Sequence, residues 1–350
     1  MTGPTSLSDF TVRLLIALLL TSLVLALWAA RDAVLLGFAA MLLAIAVHGI
    51  ADALIRLIPL PLPRPAALAI AAFSLIGGLV AVFALFGAQL TGEVSGVIER
   101  LPEAWGRVRE TMQADPLGAG LISEIDNIAS GNSDNSLQGA LADAGGYALP
   151  FASGLTTALL VFFIAAFLTT SAGSFRNGAL LLLPKGIDAR VGEGLDASAR
   201  ALKKWLLGIT VDMVIIAVLM AITLWALGVP AFIGLALIAG IAQFVPTVGP
   251  LVAAIPGILV AFTVGPMTAL WTAIAYLVIS QLEANLIYPL IQKKTASISP
   301  ALNLIAVLVF GMLFGSLGVL LATPILVVLS VFIVKLYVQD TLKKEADFLG

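Results

Sequence analysis

The stretch Gly240-Ile-Ala-Gln-Phe-Val-Pro-Thr-Val-Gly-Pro250 sits inside an apolar run that contains no Asp, Glu, Lys, Arg or His from Met213 to Leu282. A run of that length and character belongs in hydrocarbon or in the interior of a membrane protein. Pro246 and Pro250 each remove a backbone donor and clash with the preceding helical turn, so a helix cannot pass straight through them. At membrane depth a broken backbone is tolerated only where it lines a cavity or is covered by protein, which is how transporters build substrate and ion sites. The stretch therefore predicts an all-α, polytopic membrane fold with a functional break near its centre. It nominates Gln243, Pro246, Gly249 and Pro250 as binding-site residues.

Composition agrees. The 350 residues are 61% hydrophobic and 11% charged, with a mean hydropathy of +1.11, and a soluble fold would have to expose a very large apolar surface. There is no cysteine and a single histidine, His48. That rules out a disulfide framework, a thiolate metal centre and a cysteine nucleophile, and leaves little for a His-ligated metal or a His-dependent triad. No enzyme activity, metal or cofactor is expected. The formal net charge of -2 gives no basic surface for nucleic acid, and no Gly-x-x-x-x-Gly-Lys-Ser/Thr phosphate cradle occurs. The apolar run from Val12 to Ala30 is read as a retained first span, since no small-residue cleavage site precedes the charges that follow it.

Four regions follow from the distribution of charge. Residues 1–90 read as a three-span membrane region, with the proline-rich Pro59–Pro65 as a stiff connector. Residues 91–149 form an acidic insertion carrying nine acids, from Glu93 to Asp143, against Arg100, Arg107 and Arg109. Within it Val94, Ile98, Leu101, Trp105, Val108 and Met112 alternate in spacing between four and three, an apolar seam that predicts a helix. The membrane surface, a second short helix and another subunit are all open as its partner. Residues 150–340 form the transport region, and 341–350 a tail. The densest basic segment, from Arg176 to Lys204, is cytoplasmic by the positive-inside rule. Counting back from it puts the insertion outside and the N-terminus inside, and the basic Lys335, Lys343 and Lys344 put the C-terminus inside as well.

Two apolar blocks have the wrong length for simple spans. Ala231 to Thr263 is about 33 residues, roughly 50 Å of helix against a hydrocarbon core near 30 Å. Ala301 to Val334 repeats the problem, with its break at Gly311-Met-Leu-Phe-Gly-Ser-Leu-Gly318. Each is predicted to fold into a broken, re-entrant hairpin following a full span, one unit inverted against the other. Landmarks recur at an offset of about 70 residues: Asp212 with Glu283, Gly249 with Gly318, Pro256 with Pro324. Broken elements in matching places point to a binding site between them, which adds Gly315 and Gly318 to the candidates.

Glu283 lies in Gln281-Leu-Glu-Ala-Asn-Leu-Ile-Tyr288, where polar groups interrupt an otherwise apolar helix. Intramembrane acids are costly and default to a functional reading, because desolvation disfavours their charged form and invites proton exchange. Gln281 and Asn285 are taken as its amide neighbours. The competing reading makes Glu283 a cap or ion-pair partner near Lys293. Asp212, at the edge of the uncharged run, is a secondary candidate. His48, Asp52 and Arg56 share one helical face and suit either a proton relay or, more simply, a structural pair.

Phe-Val-Pro-Thr-Val-Gly-Pro at 244–250, Gln281-x-Glu283-x-Asn285, and Pro289, Pro300, Gly311, Gly315, Gly318 and Pro324 form a pattern. It resembles that of the autoinducer-2 exporter-like family of bacterial permeases, over nearly the whole chain. The resemblance implies an inner-membrane, multi-pass protein with about eight membrane segments, homo-oligomeric and expected to be a pentamer. It also implies export of a quorum-sensing signal in some members and sodium/proton exchange in others. Many members carry a polar Gly-Gln pair where this chain reads Gly208-Ile209 and places Asp212 one turn later. Three functions stay open on sequence: an exporter of a small polar metabolite such as an autoinducer-2-like signal, a cation/proton antiporter working through Glu283, and a non-transporting scaffold for the acidic insertion.

Overall fold

A computed structural model describes residues 28–57, 62–78, 148–246, 248–292, 299–339 and 342–343, with scattered positions between Leu14 and Ala26. The acidic insertion, apart from its last two residues, and the Lys293-Lys294 pair lie outside the described residues. Every regular element among the described residues is helical. Among the described residues, five helices are long and apolar enough to cross a membrane, and three shorter apolar helices accompany them. The chain is a polytopic helical membrane protein.

Helix α1 spans Arg31–Leu57, and α2 spans Arg64–Gly78, taking the last two residues of the proline-rich connector, Arg64 and Pro65, into its first turn. The sequence suggested a boundary between spans at Arg31-Asp32. The structure places a boundary there too: Ala30 is a turn residue and a new span-length helix opens at Arg31, although Ala30 N–H still bonds the carbonyl of Ala26 and Val34 N–H that of Ala30. Asp52 does not join a relay along its own helix. Its carboxylate accepts a 2.5 Å hydrogen bond from Lys203 Nζ on another helix, while His48 Nδ1 meets its own helix at the carbonyl of Ala44.

Helix α3, Ala148–Leu181, carries one non-helical residue, Ser171 (φ −123°, ψ 20°), at the end of the predicted fourth span. Beyond this kink the basic segment is mostly helix, with a non-helical connection over residues 182–187 that carries Lys185. Arg176 there donates from Nε and Nη2 to the two carboxylate oxygens of Asp196 at 2.8 and 2.7 Å. Helix α4, Asp188–Ala226, runs 39 residues, or about 58 Å, longer than the hydrocarbon is thick. Its first turns therefore stand clear of the membrane. Its buried positions recur every three or four residues, from Gly194 and Ser198 through Trp205 and Asp212 to Met220 and Leu224, giving a single stripe turned inward. Gly228 (φ 68°) and Ala231 (φ 50°) then reverse the chain at the turn that Gly228-Val-Pro230 predicts.

Two helix-break-helix units follow. In the first, α5 (Phe232–Ala242) and α6 (Val248–Val264) flank the break. Eleven residues of α5 reach only about 16 Å, so this arm cannot cross the membrane alone. The arms fold together: a Cβ on Gly249 would overlap the carbonyl of Ala242. Farther back, Leu235, Ala236 and Ala239 of α5 share a buried cluster with Ala253, Val260 and Ala261 of α6.

Helix α7, Pro266–Leu282, continues through one wide turn, Glu283–Ile287, into Tyr288–Gln292. The second unit, α8, covers Pro300–Phe332 with a break at Gly315 (φ 65°, ψ −145°), a backbone conformation essentially confined to glycine. Thr323 Oγ1 donates to Asn303 Oδ1 at 2.8 Å across twenty residues. On a straight helix these atoms would stand about 30 Å apart, so the chain doubles back at the break. The two tips meet. Val245 and Val248 from the first pack against the cluster of Ala306, Val307 and Ala322 in the second, beside Phe310 and Val319.

Candidate functional site between the broken hairpins

Three elements carry polar side chains into one buried place. Helix α4 contributes Asp212 from its inward stripe, 2% exposed. Gln243 comes from the first break: α5 presses so closely on α4 that a Cβ on Gly240 would lie 2.6 Å from the carbonyl oxygen of Met213. One turn later Gln243 is delivered to the carboxylate of Glu283 and is 2% exposed. Glu283, 7% exposed, comes from the start of the wide turn that ends α7, where Tyr288 N–H bonds the Glu283 carbonyl five residues back. Such wide turns displace the helical register locally and occur often at functional sites.

Gln243 Nε2 donates to Glu283 Oε2 at 2.6 Å. The Asp212 carboxyl lies near enough to Glu283 for their charges to act on each other. Among the described residues, Asp212 Oδ1 and Gln243 Oε1 are buried with no hydrogen-bond donor. Oxygens thus dominate the cluster, and no basic residue occurs in the sequence between Asp212 and Glu283. Two ionised carboxylates buried together cost several kcal/mol each unless a cation accompanies them. Chemically, the arrangement is suited to holding a proton, a small cation or a hydrogen-bond donor.

The remaining predicted residues divide between this place and the outside. Pro246 and Gly249 are buried at the first tip and Gly318 at the second, Pro250 is half-buried, and Gly315 is exposed. Phe244 anchors the first tip edge-on against Trp205 of α4, with ring centroids 5.6 Å apart. Gln281 and Asn285 are exposed and turn away from Glu283. They bond to each other, Asn285 Nδ2 donating to the Gln281 carbonyl at 2.8 Å and to its side chain at 3.2 Å. They line a shallow outer recess with Leu277, Val278, Leu282 and Leu286. Sequence reasoning missed the Asn303–Thr323 bridge. Its only signal was two polar residues in an apolar block, one on either side of the break.

A family model described as AI-2E family transporter matches residues 14–337. Among curated proteins described as candidate transport proteins, YueF of Bacillus subtilis (strain 168) is 22% identical over 334 residues, 88% of each chain. MT0215 of Mycobacterium tuberculosis (strain CDC 1551 / Oshkosh) is 28% identical over 268 residues, 70% of each chain. YrrI of Bacillus subtilis is 31% identical over 120 residues, and this match spans only 34% of either chain.

Proposed function

Because the chain belongs to the AI-2E family of transporters, we propose that it is an ion-coupled secondary transporter that moves a small polar metabolite across the bacterial inner membrane through the space between the two broken hairpins. The observation that carries this reading is the buried Gln243–Glu283 hydrogen bond at the foot of the first break. A polar pair held there, next to backbone that has left its helix, suits a ligand that must be recognised and then released. An autoinducer-2-like signal is one substrate of this class. The reading includes cytoplasmic termini, as the basic segments argue, and a homo-oligomer, which the family resemblance implies, with a pentamer as its expected size.

A second reading, cation/proton antiport, is favoured by a second buried acid, Asp212, close enough to Glu283 for their charges to interact. Two carboxyls in low dielectric can exchange protons for a cation and so couple the two movements. Reconstitution into proteoliposomes separates the readings. Metabolite efflux driven by a pH or sodium gradient supports the first; sodium-for-proton exchange in the absence of any metabolite supports the second. A protein that moves neither class of solute, while remaining folded and oriented, overturns both.

A further inference from the structure

Helices α1, α2 and α3 border a groove of about 490 Å³ that lies apart from the carboxyl cluster. Its walls include Leu43 and Val47 of α1, Leu68 and Ala72 of α2, and Phe162 and Ala166 of α3. Val47 packs with Ala67 and Ala71, so α1 and α2 are joined along one side of it. Thr169 and Thr170 line the groove as well, but their hydroxyls are turned back on their own helix, donating to the carbonyls of Ala165 at 2.7 Å and Phe167 at 3.0 Å. The walls therefore offer hydrocarbon and almost nothing to a polar guest. The volume lies within the range of small-molecule and cofactor sites, and a space with an apolar lining takes an apolar guest in preference to water.

One end differs. Arg64, exposed in the first turn of α2, stands at the edge of the groove beside Pro65. Among the described residues Arg64 forms no ion pair; the acid near enough to feel its charge, Asp52, is held by Lys203. Lys203 ties α4 to the end of α1, and Arg176 ties the end of α3 to Asp196 near the start of α4. The charged mouth thus lies at the same end of the bundle as the basic segment.

Depth and width narrow the choice of occupant. From Arg64 to Ala72 helix α2 rises about 12 Å, and from Phe162 to Thr170 helix α3 covers the same depth. One leaflet of hydrocarbon is about 15 Å deep. A helix about 10 Å across would need roughly 900 Å³ over that length, nearly twice what the groove holds, whereas a single acyl chain is slim enough. An arginine at the interface buries its stem along the apolar wall and keeps its charge at headgroup level, and basic pockets between membrane helices bind anionic headgroups.

We infer that the groove is a phospholipid site: one acyl chain lies between α1, α2 and α3, and an anionic headgroup phosphate rests on the Arg64 guanidinium, in the leaflet on the side of the basic segment. The site is independent of what the chain transports, and its test needs no transport assay.

Purified protein is reconstituted in phosphatidylcholine vesicles carrying a trace of phosphatidylglycerol with a diazirine in its acyl chain, or the same photoreactive chain on phosphatidylcholine. Labelled residues are located by mass spectrometry. The site predicts that the phosphatidylglycerol label concentrates on residues 43–47, 65–72 and 162–170, about fivefold above the phosphatidylcholine label, which is what one basic residue at the surface contributes. The exposed face around Trp271 and Val278 should take both lipids equally. Arg64→Gln lowers the phosphatidylglycerol label in the groove to the phosphatidylcholine level and Arg64→Lys keeps most of it, while Arg56→Gln, which removes a charge from the end of α1 outside the groove, leaves it unchanged. Ala166→Phe fills the groove and lowers both labels there. Should the Arg64 variants misfold, competition on the wild-type chain decides: unlabelled phosphatidylglycerol must displace the label better than unlabelled phosphatidylcholine. Equal labelling of the groove by the two lipids makes it ordinary boundary lipid and overturns the proposal. A groove that neither lipid labels above the control face is filled by protein, this chain or a second copy, and that also overturns it.

Discussion

Gly249 and Gly318 occupy the same place in the two broken hairpins: each follows its break, and on each a Cβ would overlap a carbonyl of the preceding arm, Ala242 in one and Phe310 in the other. Neither needs glycine for a left-handed backbone; both need it for close approach. Replacing either with alanine forces the arms apart, an overpacking that costs about 1–3 kcal/mol. Gly178→Ala, on an open helical face with nothing within 4 Å, is expected to be neutral or to stabilise by up to about 1 kcal/mol. Thermal melts of the three variants in detergent check the contrast, and equal melting temperatures for all of them would refute it.

The Asn303–Thr323 bond pins the second hairpin. Thr323→Val leaves the Asn303 side chain buried without its donor and is expected to cost about 1–3 kcal/mol. Adding Asn303→Leu removes the orphan and should restore part of the loss. A double-mutant cycle measures the coupling, and strictly additive effects would show that the two residues do not act as a pair.

Pro246 and Pro250 are expected to serve transport rather than folding. Replacing both with alanine lifts a helix penalty of about 3 kcal/mol at each position and favours a continuous helix through the break. Expression and oligomer size should persist while transport falls. Wild-type transport rates in the double variant would reduce the prolines to packing.

Glu283→Gln keeps the size and hydrogen-bonding capacity of the side chain and removes its titration. If Glu283 couples proton movement to transport, the variant loses gradient-driven accumulation, its pH profile flattens, and downhill exchange survives. A structural role predicts the reverse, a lowered melting temperature with an unaltered pH profile. In that outcome Asp212 takes over as the coupling residue under test.

How much of this was legible from residues alone depended on the kind of signal. The breaks were, because proline and glycine act on backbone geometry wherever they stand, and the 33-residue blocks were too long for one span by simple length. The pairing of Asp212 with Glu283 was visible as an offset of about 70 residues, though not that both would reach one pocket. The amides were not legible. Gln281 and Asn285 sit two residues to either side of Glu283, and spacing on a regular helix already turns them some 160° to 200° from it. Proximity in sequence had been read as proximity in space. Gln243, forty residues away, turned out to be the partner, delivered by the close approach at Gly240 that only packing reveals. The basic segment reads as loop because charge is rare in membrane helices; only its middle, 182–187, is non-helical, and Arg176 and Asp196 neutralise each other across the two helices that flank it.

The wide turn at Glu283–Ile287 holds one residue more than a regular turn would. An extra residue rotates everything beyond it by about 100° relative to everything before it, so the segment Tyr288–Gln292 is out of phase with the buried face of α7. Ironing the turn flat would therefore twist the far end of the helix like a key and push it outward by about 1.5 Å, without moving the half before the turn.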